Sequence, residues 1–221
     1  DPKIVLPWLQ NKRMRAHSGK RDSVHREFSR RYIEDEATLA PFSPKVAFRL
    51  ITNRTNSRTM VCALTPPRVF HSNSSQIVMM PRGDKKDEAF LLGVLSSIPL
   101  DWFARRIVEL NFNFFLFNPL PIPRPQRSNP LWQRVVQLSG RMACPDKRFT
   151  HWAEAVGVDC GLLDADEKLD KIHELDAIVA HLYGLSEPQL IHILETFHEG
   201  WNYEARLHEV LKHYHAWVGE A

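Results

Sequence analysis

The chain has 221 residues, 25% of them charged, 43% hydrophobic and 10% aromatic, a composition that matches an ordinary soluble globular protein and excludes disorder and collagen. Its net charge of +3 is too small to name a partner, and its three cysteines, Cys62, Cys144 and Cys160, lie too far apart for a disulfide framework or a zinc ribbon, which fits a reducing cytoplasm. No apolar run approaches the roughly 18 residues of a membrane span and no charged-then-apolar leader opens the chain, so neither insertion nor export is expected.

The start at Asp1, without methionine, reads either as an internal position of a longer parent or as a processed or trimmed N-terminus. Charge is uneven along the chain. The first 60 residues hold 13 Lys and Arg against 6 Asp and Glu, and the remainder 16 against 20. Residues 1–44 are therefore read as a basic arm or linker, ended by Pro41 and Pro44. Within it Lys12, Arg13, Arg15, Lys20, Arg21, Arg26, Arg30 and Arg31 alternate with polar rather than apolar residues, which predicts an extended or loosely ordered segment. Such a segment either faces a polyanion or is simply solvated.

Residues 45–125 read as an α/β body. Val46, Phe48 and Leu50 alternate with small or polar neighbours, as do Met60, Cys62 and Leu64, predicting two half-buried strands around the polar loop Thr52 to Arg58. Gln76 to Met80 offers a third strand. From Asp87 apolar residues recur at helical spacing, and Pro99 divides the run into two short helices or one kinked one. The alternation of Asn and Phe in Leu110 to Phe117 favours a strand, with Phe112, Phe114 and Leu116 facing the core, and PLPIPRP, Pro119 to Pro125, must be extended. Residues 126–163 form a connector with one helix, Leu131 to Met142. Residues 164–221 form a helical unit of three helices, opened by the capping pair Asp164 and Glu167, divided by Gly184, and resumed after Ser186. The fold class is α+β.

Catalytic motifs are missing. The sequence has no GxGxxG or GxxxxGK[ST] phosphate loop, no GxSxG elbow and no HExxH helix. His208 and His215 share a helix face but His213 does not, so no three-ligand metal site is expected. What stands out is ITNRTNSRT, Ile51 to Thr59. Arg54 and Arg58 with Asn53 and Asn56 are the side chains that read guanine and adenine edges or hold phosphate oxygens. The same Asn residues also serve turn geometry, and the same Arg residues also bond nearby carbonyls.

Three segments resemble the C-terminal region of adenine-specific DNA methyltransferases of restriction-modification and related phage-defence systems, including type II methyltransferase-endonuclease fusions. They are FRLITNRTNSRTMVCALTP (Phe48 to Pro66), the pair FLLGVLSSIPLDWFARR and LNFNFFLFNPLPIP (Phe90 to Arg106 and Leu110 to Pro123), and LDAIVAHLYGLSEPQLIHILETF (Leu175 to Phe197). Leu50, Ser57 and Asn118 depart from that pattern, where the family usually has Asp, Glu and Gln. The family's methyl-donor loop and its [ND]PP[YF] catalytic loop do not occur here. The resemblance therefore implies a target-recognition body with a C-terminal helical unit, the DNA-reading region of a larger methyltransferase rather than an enzyme in itself. Arg49, Asn53, Arg54, Asn56, Arg58, Arg105 and Arg106 are the candidate DNA-binding residues, with no catalytic or metal-binding residue. The chain itself would hold no cofactor; S-adenosylmethionine is expected in the upstream catalytic domain. The implied partners are double-stranded DNA, that upstream domain and other defence-system subunits. The alternative is a protein-docking module of such a complex, with no direct DNA readout.

Overall fold

The computed structural model describes residues 1–19 and 23–219. It is an α+β fold in which a small antiparallel sheet lies against a larger set of helices. Strand β1 (Lys45–Arg49) is central, flanked by β2 (Cys62–Thr65) and β3 (Ser75–Ile77). The hairpin predicted from alternation is present: Val46 pairs with Leu64 and Phe48 with Cys62, putting Val46, Phe48 and Leu64 in the core. The third strand forms one residue earlier than expected and pairs with β1 through Phe48 and Gln76.

Two helices follow, α3 (Lys85–Ser96) and α4 (Ile98–Ile107), after the N-terminal helices α1 (Pro2–Gly19) and α2 (Arg30–Glu34). A capping box starts α3: Asp84 accepts from the Lys86 and Asp87 amides, and Asp87 accepts from the Asp84 amide. Every residue from Ala89 to Leu95 is buried, so α3 is the central helix rather than an amphipathic surface one. It packs on α6 (Pro130–Ala143) at close range through Gly93, where a Cβ would lie 2.7 Å from Val135 Cγ1. Beside it the Ser139 hydroxyl donates to the Ala89 carbonyl across the interface, at 2.6 Å. Pro99 divides the run as predicted, with Ser97 capping α4.

Two expectations are corrected. Leu110 to Phe117 is not a strand. Only Asn111 bridges to Ile51, after which Asn113 caps the short helix α5 (Phe114–Phe117). The turn folds the aromatic residues onto Phe48: Phe117 stacks on it with ring centres 4.4 Å apart, and Phe112 and Phe114 meet it edge-on. Aromatic packing and an Asn cap thus outweigh the alternating pattern. The basic N-terminal segment is not extended either, since α1 runs to Gly19. Its Arg13 is buried, and donates to Gln10 Oε1, Thr38 Oγ1 and the carbonyls of Ile33 and Asp35, which fastens α1 over α2. Lys20 and Arg21 lie outside the described residues.

The remaining helices are α7 (Thr150–Val156), α8 (Ala165–Leu182), α9 (Glu187–Glu195) and α10 (Glu204–Ala216). The Asp164 cap holds the Glu167 amide, and Gly184, at φ 64°, ends the segment as expected of a left-handed glycine. Helix α8 is buried on two sides. Leu175, Ile178 and Val179 join the core of the sheet, α3 and α6, whereas Ala177 and Ala180 join Ile98, Leu190, Leu194, Phe197 and Val210 in a second core under α9 and α10. No described helix is long and apolar enough to cross a membrane.

Candidate nucleic-acid interface

The polar loop between β1 and β2 is tied by its own side chains first. Asn53 Oδ1 accepts from the Thr55 amide at 3.0 Å, the Asn56 amide at 3.2 Å and the Thr55 hydroxyl at 2.8 Å, an Asx turn. Thr52, buried at the loop base, donates its hydroxyl to the Thr59 carbonyl and accepts from Asn56 Nδ2 and Arg49 Nη2.

Helix α4 then fastens the loop from beneath. Asp101, with no exposed surface, accepts from the Thr59 and Met60 amides at 3.0 and 2.8 Å and from Arg58 Nε at 2.5 Å. Arg58 Nη2 also donates to the Ser96 carbonyl at 2.6 Å. One turn further on, Arg105 donates to the carbonyls of Arg54, Asn56 and Ser57 at 2.7, 2.9 and 3.0 Å. Its guanidinium lies over the Phe197 ring, 4.3 Å from the centre. Burial pulls Arg105 below its ordinary pKa, with Asp101 acting in the opposite direction, but a guanidinium stays charged throughout the working pH range. The segment after α9 adds a contact between His198 Nε2 and the Thr55 carbonyl, at 3.1 Å.

These contacts divide the seven sequence-predicted residues. Arg58 and Arg105 are engaged inside the protein, and Asn53 and Asn56 shape the loop. Arg49 is exposed, with one bond to Thr52. Arg106 is exposed and sits over the Trp102 ring, 3.4 Å from its centre, donating to the Trp102 carbonyl. Arg54 is exposed at the loop tip, and its guanidinium makes no hydrogen bond or ion pair among the described residues. Arg54 and Arg106 are brought together on an open cleft of about 550 Å³, with His198 and Phe197 on its wall and Glu109 and Glu199 on its lining.

Sequence reasoning missed Asp101, Phe197 and His198. The signal available for Asp101 was its position four residues before Arg105, which puts both on one face of α4. The basic N-terminal segment and the loop meet α3 at opposite ends. Glu27 pairs with Arg82 just before α3 begins, and Arg58 reaches the carbonyl of its last residue, Ser96, so the length of a 12-residue helix, ~18 Å, separates them. Two of the C-terminal histidines are paired with carboxylates, His213 with Asp170 and His215 with Glu187. Comparison with models of known protein families, with curated proteins and with solved structures finds no match for the chain.

Proposed function

We propose that this chain reads a sequence in double-stranded DNA, as the recognition region of a larger S-adenosylmethionine-dependent, adenine-specific DNA methyltransferase of a restriction-modification or phage-defence system. The observation that carries the reading is a polar loop whose backbone is held by Arg105 and Asp101 while Arg54 is left uncommitted beside Arg106 on an open cleft. A loop fixed before binding loses little conformational entropy on meeting a duplex. Exposed guanidinium groups supply the attraction to phosphate and the donors for base edges. The methyl donor and the extraction of the adenine would belong to the upstream catalytic domain. The resemblance noted in the sequence supplies the enzyme class.

Binding of the chain to a labelled mixed-sequence duplex, titrated over a range of salt concentrations, tests this. Affinity is expected to fall steeply with salt, and the variant Arg106→Ala to flatten the slope by about one on a log-log plot. Absence of binding at low salt, or a slope that the variant leaves unchanged, would overturn it.

One observation favours a second reading, a docking module for the upstream domain or another defence subunit. Ile51 and Leu110, joined by the Thr52 amide on the Leu110 carbonyl, are 62% and 70% exposed beside the loop. Under that reading Leu110→Lys abolishes association with the upstream domain, and duplex binding by the isolated chain is absent.

A further inference from the structure

We infer that Arg54 is the specificity-determining residue of this surface and that it reads a guanine through the major groove; the inference rests on the duplex-reading proposal above. Among the arginines around the loop, each of the others has a donor engaged. Arg58 holds Asp101 and the Ser96 carbonyl, Arg105 holds three loop carbonyls, Arg49 bonds Thr52, and Arg106 lies on Trp102. Arg54 keeps all of its guanidinium donors uncommitted among the described residues, yet its backbone is among the most restrained in the loop. Its own carbonyl is held by Arg105 at 2.7 Å, and the next two amides by Asn53 Oδ1.

That combination distinguishes base reading from phosphate neutralisation. A phosphate carries no sequence information and makes less demand on the angle at which a cation arrives. A base edge demands that the planar fork arrive in register with two acceptors. Among the four bases only guanine offers two adjacent major-groove acceptors, O6 and N7, to a side chain that donates and never accepts. Adenine and cytosine each present an amino donor there, which the guanidinium would oppose, and thymine presents one acceptor beside a methyl group. Asn53, the residue type that would read adenine, has its side-chain oxygen engaged in the Asx turn. Arg105 is then a positioning residue, acting on the base through the Arg54 backbone.

The test has two stages, both with the full chain. Selection from a randomised duplex library is expected to enrich a guanine at one fixed position. In that selected duplex the guanine is replaced by 7-deazaguanine, which lacks the N7 acceptor, or by adenine. Wild-type affinity is expected to fall by roughly 5- to 150-fold for adenine, the range for losing one bidentate contact, and by less for 7-deazaguanine. Arg54→Ala is expected to bind all three duplexes alike while keeping its preferences at other positions; as Arg54 is exposed, circular dichroism should show the variant folded. Failure of the wild-type chain to bind any duplex would overturn the duplex-reading proposal together with this inference. Four outcomes would overturn the inference alone and leave that proposal standing: binding with no sequence preference, a selected sequence without guanine, a 7-deaza penalty that survives in Arg54→Ala, or a uniform loss in the variant across all sequences, which would make Arg54 a phosphate contact.

Discussion

Helix α4 is held at two places by buried aspartates, and the two do different things. Asp176, reaching from α8, accepts from the Ile98 amide at the start of α4 and from Arg206 of α10 at 2.5 Å, so it joins three helices inside the protein. Asp101, on α4 itself, takes the same kind of donors, backbone amides and one arginine, but they all come from the loop between β1 and β2. The first device stabilises the helical scaffold. The second transmits that rigidity outward, to a loop that ends in an uncommitted arginine. The same chemistry builds a core in one place and a presentation surface in the other.

Removing either carboxylate gives the largest expected effect. Asp176→Ala and Asp101→Ala should each lower stability by about 3–5 kcal/mol in chemical denaturation, since each leaves buried donors and a charge unpaired. The comparison sharpens under conditions where both variants remain folded: Asp101→Ala is expected to accelerate hydrogen exchange at Thr59 and Met60 and to weaken duplex binding, and Asp176→Ala to do neither. Gly93→Ala comes next, at about 1–2 kcal/mol, because the new Cβ would meet Val135 Cγ1 at 2.7 Å in the α3–α6 contact and must displace it. A Cβ at position 93 would meet Val135 and Ser139 of α6 rather than either aspartate, so this loss of stability should leave duplex affinity unchanged. Arg105→Lys should cost about 1–2 kcal/mol, because an ammonium cannot span three carbonyls, and the sequence preference of bound duplex should relax although the charge is kept.

The smallest effect is on pH dependence. His173 is buried beside the Asp176 cluster, and burial above all, with Arg206 and His213 adding and Asp176 and Glu209 opposing, lowers its pKa from 6.5. A lowered pKa means that the unfolded chain binds the proton more readily. Its contribution to stability is therefore complete above pH 6.5 and is lost as the pH falls from there through the folded value. His173→Gln should make the acid limb of a stability-against-pH curve shallower. His25 and His71 are lowered in the same direction, chiefly by burial, so some slope should remain.

Local chemistry made part of this legible in the sequence. The hairpin followed from period-two alternation, the break at Pro99 from a missing amide, and the start of α8 from Asp164 and Glu167. Where a residue's role depends on a distant partner, reading failed. Arg13 looked like solvated charge because the carbonyls that bury it belong to residues 20 and 22 positions away. Arg58 and Arg105 stood among the candidate DNA contacts, Arg58 in the loop and Arg105 on α4, and their tethers lie 43 residues away in Asp101 and 48 to 51 residues away in the loop carbonyls. The 110–117 segment carried an alternating pattern, and only the packing of Phe48 decides that Asn113 caps a turn instead.

The division between tethering and presenting arginines is most directly measured by chemical modification of arginine with a glyoxal reagent, read residue by residue by mass spectrometry with and without saturating duplex DNA. Arg54 and Arg106 are expected to react readily in the free chain and to be protected by duplex, with Arg105 slow in both states. If Arg54 reacted equally with and without bound DNA, the loop would not be the reading surface and the account would be contradicted.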